Sequence, residues 1–144
     1  MSQTPGIPGG ERYVAFLDLL GARRESASGG TAVVSVDLRS ELLNLHGAGH
    51  GGVVMTLLDS AMANAALSKI DFAREVVTID MHIAFMRPAV GRLVATGRAT
   101  GGGKSVCFCE AQIVDDSGEV IAKAMGTFRY REPGGIHPQS PTTS

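Results

Sequence analysis

Gly52-Val-Val-Met-Thr-Leu-Leu-Asp-Ser-Ala-Met-Ala-Asn-Ala-Ala-Leu-Ser68 is the stretch on which the fold turns. Its Val, Met, Leu and Ala side chains occupy nearly every side of a helix, and a helix that is apolar all round is a buried helix. On either side of it the periodicity changes. Thr31-Ala-Val-Val-Ser-Val-Asp-Leu38 alternates as a half-buried strand does, and β-rich stretches follow at 75–86, 92–101, 104–115 and 119–131. The links between the later strands are short turn signals: Arg87-Pro88 to Gly91, Gly101-Gly102-Gly103, and Asp115-Asp116-Ser117-Gly118. Short links predict antiparallel neighbours, so the second half reads as a meander. One buried helix and an antiparallel sheet give an α+β fold, with the sheet curled around that helix.

The 144 residues suit a single domain. Pro and Gly crowd residues 1–10 and 133–144, which predicts a flexible N-terminal tail over 1–10, a domain over 11–131 and a flexible C-terminal tail over 132–144. Val14, Phe16, Leu17, Leu19 and Leu20 suggest a short amphipathic helix from Glu11 to Ala22, stopped at Gly21. Thirteen basic residues nearly cancel 14 acidic ones, which argues against nucleic acid or an anionic membrane as a partner. Cys107 and Cys109 lie two apart in an expected strand, a spacing awkward for a mutual disulfide. They read as buried thiols in a reducing compartment, and no ligand cluster accompanies them to make a metal site. With no apolar run of membrane-spanning length and no signal-like N-terminus, the expected location is the cytoplasm.

Asp59 stands in the middle of the apolar helix, where an unpartnered carboxylate costs several kcal/mol to bury. It either braces a neighbouring loop or acts in chemistry. His50-Gly51-Gly52 immediately precedes the helix, so first-turn N–H groups without intrahelical partners point outward. Glycine there lets a ligand approach the backbone, as an oxyanion site requires, although the same glycines could simply make a tight loop. Eight residues at about 1.5 Å each separate Gly51 from Asp59 by roughly 12 Å along the axis. If both act on one carbonyl, they come from different subunits, as two helices antiparallel across a two-fold axis allow.

The run Asn44-Leu45-His46-Gly47-Ala48-Gly49-His50-Gly51-Gly52, followed after six residues by Asp59, resembles the hotdog thioesterases of the phenylacetate-degradation (PaaI) type. The likeness continues through Thr78-Ile79-Asp80-Met81, Phe85-Met86-Arg87-Pro88-Ala89, Gly103-Lys104-Ser105 and the Gly118–Phe128 segment, covering roughly residues 40–130. The resemblance implies a hotdog fold and an acyl-CoA hydrolase in which Asp59 is general base or nucleophile. It implies that the Gly51 N–H polarises the thioester carbonyl, that Asn44 and His50 orient the thioester or the water, and that Thr78 supplies a helping hydroxyl. Asn44, His50 and Gly51 would then face Asp59 and Thr78 of a partner chain in a homodimer, itself paired into a homotetramer as a dimer of dimers.

A thioester is already activated, so a placed carboxylate and an oxyanion donor suffice, and no cofactor is expected. The CoA phosphates call for basic side chains and free backbone groups near a turn. Lys104 and Ser105 are the candidates, with Arg87 next and Gly52 at the helix start; each of the first three also reads as a solvated turn residue. Gly49 replaces the larger apolar residue common before the His in the resembled family, and His46 and Asn64 are polar additions, so acyl preference stays open. Thr56, Ser60 and Asn64 form an i, i+4 row beside Asp59, able to shape or wet an acyl pocket or to bond a neighbouring helix. Two rival readings are a noncatalytic acyl-CoA-binding hotdog protein, which has no need of Asp59, and an enoyl-thioester hydratase, whose Asp and His pair is presented differently.

Overall fold

The computed structural model describes residues 14–134. Its elements in chain order are α1 (Ala15–Leu20), β1 (Arg23–Ser28), β2 (Thr31–Asp37), α2 (Gly51–Lys69), β3 (Glu75–Phe85), β4 (Arg92–Gly102), β5 (Val106–Val114) and β6 (Val120–Arg131). The six strands make one antiparallel sheet in the order β1-β2-β4-β5-β6-β3, and α2 touches every one of them. This is the hotdog architecture. Leu57, Leu58, Ala61, Met62, Ala65 and Ala66 of α2 are almost wholly buried, and Val34, Leu93, Ile113, Ile121 and Phe128 meet them from the inner face of the sheet. Two buried hydroxyls tie the helix to its wrap. Tyr130 donates to the Ala66 carbonyl at 2.8 Å, and Ser68 Oγ accepts the Gly30 N–H at 3.0 Å.

The long helix and the strands from β2 onward lie where the sequence places them, within two residues at each end. The helix expected over 11–22 is shorter, running from Ala15 to Leu20, with residues 11–13 outside the described segment. The two expected tails also fall mainly outside it. The meander needs correction. β4, β5 and β6 are sequential neighbours, but β3 pairs with β6 at the far edge rather than with β4. The link 86–91 does not fold back as a hairpin. Met86 and Arg87 donate their N–H groups to Ile121 at the start of β6, Ala89 O accepts from Gly49, and Gly91 O accepts from Leu38 at the end of β2. Six residues reach roughly 20 Å when extended, enough to cross three strand spacings of about 4.8 Å.

The strand β1 is an addition. Arg-Arg-Glu-Ser-Ala-Ser buries only Ala27, so it lacks the apolar alternation that marks a strand. The signal lay in the turn: Gly29 and Gly30 both have positive φ, +60° and +90°, and a Gly-Gly pair of this kind is a two-residue hairpin loop.

Gly97 on β4 fixes how closely α2 seats on the sheet. A Cβ there would lie 2.3 Å from the Ala61 carbonyl oxygen, a backbone atom that cannot step aside. Gly97→Ala is therefore expected to lower stability by about 1–3 kcal/mol or more through overpacking, read as a reduced urea midpoint. An unchanged midpoint would show that the helix does not rest on this contact.

Candidate active site

The start of α2 has one open donor. His50 is the N-cap, its Nδ1 accepting the Gly52 N–H at 2.8 Å, while Val53 and Val54 donate to the His50 carbonyl. Among the described residues, the Gly51 N–H alone of these first-turn groups has no acceptor. Two consequences follow. Gly52 spends its N–H on His50, so what it offers a ligand is its lack of a side chain. With Nδ1 accepting, His50 carries its proton on Nε2 and is a donor there.

Asn44 holds the preceding loop. Its Oδ1 accepts from His46 N at 2.8 Å and Ala48 N at 3.1 Å, and its backbone N–H donates to Ala48 O at 2.7 Å. The loop-bracing reading of Asn44 is thus realised, and its Nδ2 makes no hydrogen bond among the described residues. Gly49 is packed, not open: a Cβ would meet Ala89 and Leu38 at 3.1 Å.

Two turns along α2, Asp59 is half-buried and accepts from Thr78 Oγ1 at 2.7 Å. Thr78 is aimed by a β-bulge, since the β3–β6 register shifts between Thr78 and Asp80. Such bulges redirect a side chain without ending the strand. Burial pushes the Asp59 carboxyl above the ordinary aspartate range, and the Thr78 hydrogen bond partly offsets that rise. Its second oxygen makes no hydrogen bond among the described residues.

Two cavities divide these groups. Asp59, Thr78, His50 and Gly52 line one of about 1040 Å³, together with the row Thr56, Ser60 and Asn64. Thr56 and Asn64 turn back on their own helix, Thr56 Oγ1 donating to Gly52 O and Asn64 Nδ2 to Ser60 O. Asn44 and Gly51 line the other, of about 400 Å³, with His46, Phe85, Arg87 and Pro88. Within one chain, then, the Gly51 donor and the Asp59 carboxylate open into different spaces.

The CoA candidates lie apart from both groups or are otherwise engaged. Lys104 and Ser105 form the exposed β4–β5 turn, where their carbonyls accept from Arg74 and from the Tyr130 N–H, and neither lines either of these two cavities. Arg87 pairs with the exposed Glu119 at 2.9 Å and borders the smaller cavity. Sequence reasoning missed Arg23 and Arg24 as lining residues of the larger cavity, because β1 itself was hidden. Among the described residues no group of His, Cys, Asp or Glu is gathered to hold a metal ion.

The sequence profile of the Thioesterase superfamily matches residues 46–122, a span that carries His50, Gly51, Asp59 and Thr78. The chain belongs to the thioesterase superfamily. This thioesterase is 30% identical over 105 residues to acyl-coenzyme A thioesterase 13 of Homo sapiens, covering 71% of this chain and 74% of the relative. Among solved structures it is similar to the PaaI protein of the E. coli phenylacetic acid degradation operon, at 28% identity and TM-score 0.76, covering 82% of this chain and 85% of that one. It is likewise similar to a conserved protein of Pseudomonas aeruginosa, at 28% identity and TM-score 0.79, covering 83% and 95%.

The raised Asp59 carboxyl has a consequence for stability. A group whose folded pKa is raised adds stability below its unfolded pKa and loses it as pH rises through the folded value. The charged carboxylate is thus a burden at neutral pH, and Asp59→Asn is expected to raise Tm at pH 7, the gain fading as pH falls through the raised folded value and gone below the ordinary aspartate value. Thermal unfolding from pH 3 to pH 8 checks this; a variant less stable than wild type at pH 7 would contradict it.

Proposed function

We propose that the protein hydrolyses acyl-CoA thioesters in a homodimer, each active site combining Asp59 and Thr78 of one chain with Gly51, His50 and Asn44 of the other. Thioester hydrolysis is the activity of the superfamily to which the chain belongs, and CoA esters are the substrates named for the human relative. The observation that carries the reading is the division of the donor and the carboxylate between two cavities, roughly 12 Å apart along α2. A partner helix antiparallel to α2 would bring one chain's Gly51 opposite the other's Asp59. The free edge of β3, whose Val77 and Ile79 are exposed, offers a surface for that pairing. A dimer of dimers extends the same symmetry, and the buried unpaired cysteines fit a cytoplasmic location.

In the reaction so assigned, Asp59 takes a proton from water as the water oxygen bonds to the thioester carbonyl carbon. The carbonyl oxygen becomes an oxyanion against the Gly51 N–H, where a fixed donor in a water-poor site stabilises it most. The tetrahedral intermediate then breaks its C–S bond, and Asp59 returns its proton to the departing CoA thiolate. In the nucleophilic alternative, Asp59 attacks the carbonyl itself, the C–S bond breaks with departure of the CoA thiolate, and water cleaves the resulting anhydride to give the free acid and regenerate the Asp59 carboxylate. The noncatalytic binding alternative is disfavoured by the retention of a carboxylate that costs stability on an apolar helix.

Asp59→Asn is expected to reduce kcat by about 10²–10⁴-fold, the range of a lost general base, in an assay of free thiol release from a panel of acyl- and aryl-acyl-CoAs. Gly51→Pro removes one N–H at the first helical position, where proline is well tolerated. It is expected to lower kcat by about 10²–10³-fold with the fold intact by circular dichroism. Full turnover in either variant would remove that residue from the mechanism.

The activity of the wild-type protein is expected to rise with pH as Asp59 ionises, with an acid limb above the ordinary aspartate range. Thr78→Ala removes the hydrogen bond that holds the carboxyl down, so the limb of log kcat against pH should move to higher pH. A limb that stays put would show that Thr78 does not govern the ionisation of Asp59.

A further inference from the structure

We infer that Arg24 and Asn64 form the stop at the far end of the acyl groove and so set the longest acyl chain accepted. The inference rests on the hydrolase reading above. The larger cavity is the slot left because the sheet curls around α2 without closing, with the edge strands β1 and β3 contributing its two sides and α2 lining it from Gly52 to Leu67. Asp59 and Thr78 hold the β3 side. From the β1 side, Arg24 reaches across to the helix, its Nη1 donating to Asn64 Oδ1 at 2.9 Å.

Both ends of this strut are fixed. The guanidinium lies over the Phe72 ring, 5.3 Å from its centre, and Asn64 is anchored by Nδ2 donating to Ser60 O at 2.9 Å. The lining of the same cavity is mainly apolar, with Leu20, Val34, Ala63 and Val76 beside the polar Thr56, Ser60 and Glu75. An alkyl end pressed against the strut would have to break a part-buried charge-assisted hydrogen bond and desolvate a guanidinium, with no polar group to repay either cost.

Five helical residues from Asp59 to Asn64 give about 7.5 Å along the axis. Extended hydrocarbon advances roughly 1.3 Å per carbon, given a C–C bond of about 1.5 Å, so about six carbons fit beyond the carbonyl. The substrate class is therefore short- and medium-chain acyl groups of up to about seven carbons, or a single aromatic ring, by the same helical arithmetic. Leu67 lies three residues past Asn64 and still lines the slot, so a chain freed of the strut has room to advance by roughly one helical turn.

The test is kcat/KM for straight-chain acyl-CoAs from butanoyl to hexadecanoyl, below their micelle concentrations, with the wild type, Arg24→Ala and Asn64→Ala. Wild-type kcat/KM should fall from about octanoyl-CoA onward. Each variant should raise the dodecanoyl-to-hexanoyl ratio by about tenfold, the scale on which a pocket discriminates a methylene or two, whatever happens to the absolute rates. A merely structural role would lower all chain lengths together and leave the ratio unmoved, which overturns the inference, as does a wild type that favours the longest chains. Should Arg24→Ala not fold, Asn64→Ala releases the same strut from the other side. Wild-type protein that hydrolyses no acyl-CoA of any length would instead reject the hydrolase reading on which the inference rests.

Discussion

A half-buried carboxylate on an apolar helix, held by one threonine hydroxyl, is the constraint around which the rest of the structure is arranged. Asp59 sits beside a core of Leu57, Leu58, Ala61 and Met62. Full burial would force it neutral, and full exposure would return it to an ordinary surface aspartate. The incomplete closure of the sheet provides the intermediate condition: β1 and β3 do not meet, and the gap between them gives Asp59 a cavity to face. Thr78 contributes a single hydrogen bond, which supports the charged form without quenching it. The bulge that aims Thr78 belongs to the same edge strand, so the sheet edge both opens the slot and supplies the side chain that tunes the carboxyl.

The beginning of α2 answers the Asp59 end with the opposite polarity. His50 takes up the Gly52 N–H, and its carbonyl takes up those of Val53 and Val54, leaving the Gly51 N–H pointing outward. A helix N-terminus with all its donors open would be hydrated and unselective; one with a single open donor has a direction. Donor and carboxylate belong to one rigid helix, and for that reason they cannot converge within a chain. Rigidity makes each half well ordered and makes a second subunit necessary for the pair to act together.

How much of this was legible in the sequence varied with the physics involved. The helix and its partners β2 to β6 were readable because α2 is apolar on all sides, β4, β5 and β6 alternate in burial, and β3, which does not, is rich in β-branched residues. The pairing of β3 with β6 was not, because strand neighbours are decided by where a link travels, and Arg87-Pro88 to Gly91 has the composition of a tight turn while spanning the end of the sheet. β1 escaped because an edge strand facing solvent has no need of apolar alternation. With it went Arg24, which local sequence gives no reason to connect with Asn64. At the site, Asp59 stood out because a carboxylate on an apolar face demands an explanation, whereas the roles of Asn44, Gly52 and Arg87 depended on hydrogen bonds and an ion pair that composition does not reveal.

The central claim is that one active site draws on two chains, and subunit mixing tests it directly. Asp59→Asn and Gly51→Pro proteins, each nearly inactive alone, would be co-refolded in equal amounts and assayed for thiol release. With the site shared between chains, half of the randomly formed dimers are mixed, and each contains one intact site of two. About a quarter of wild-type activity should therefore return, by the statistics of a two-fold assembly. If the site were built within one chain, every site in the mixture would carry a lesion, and activity that stayed at the level of the separate variants would contradict the claim.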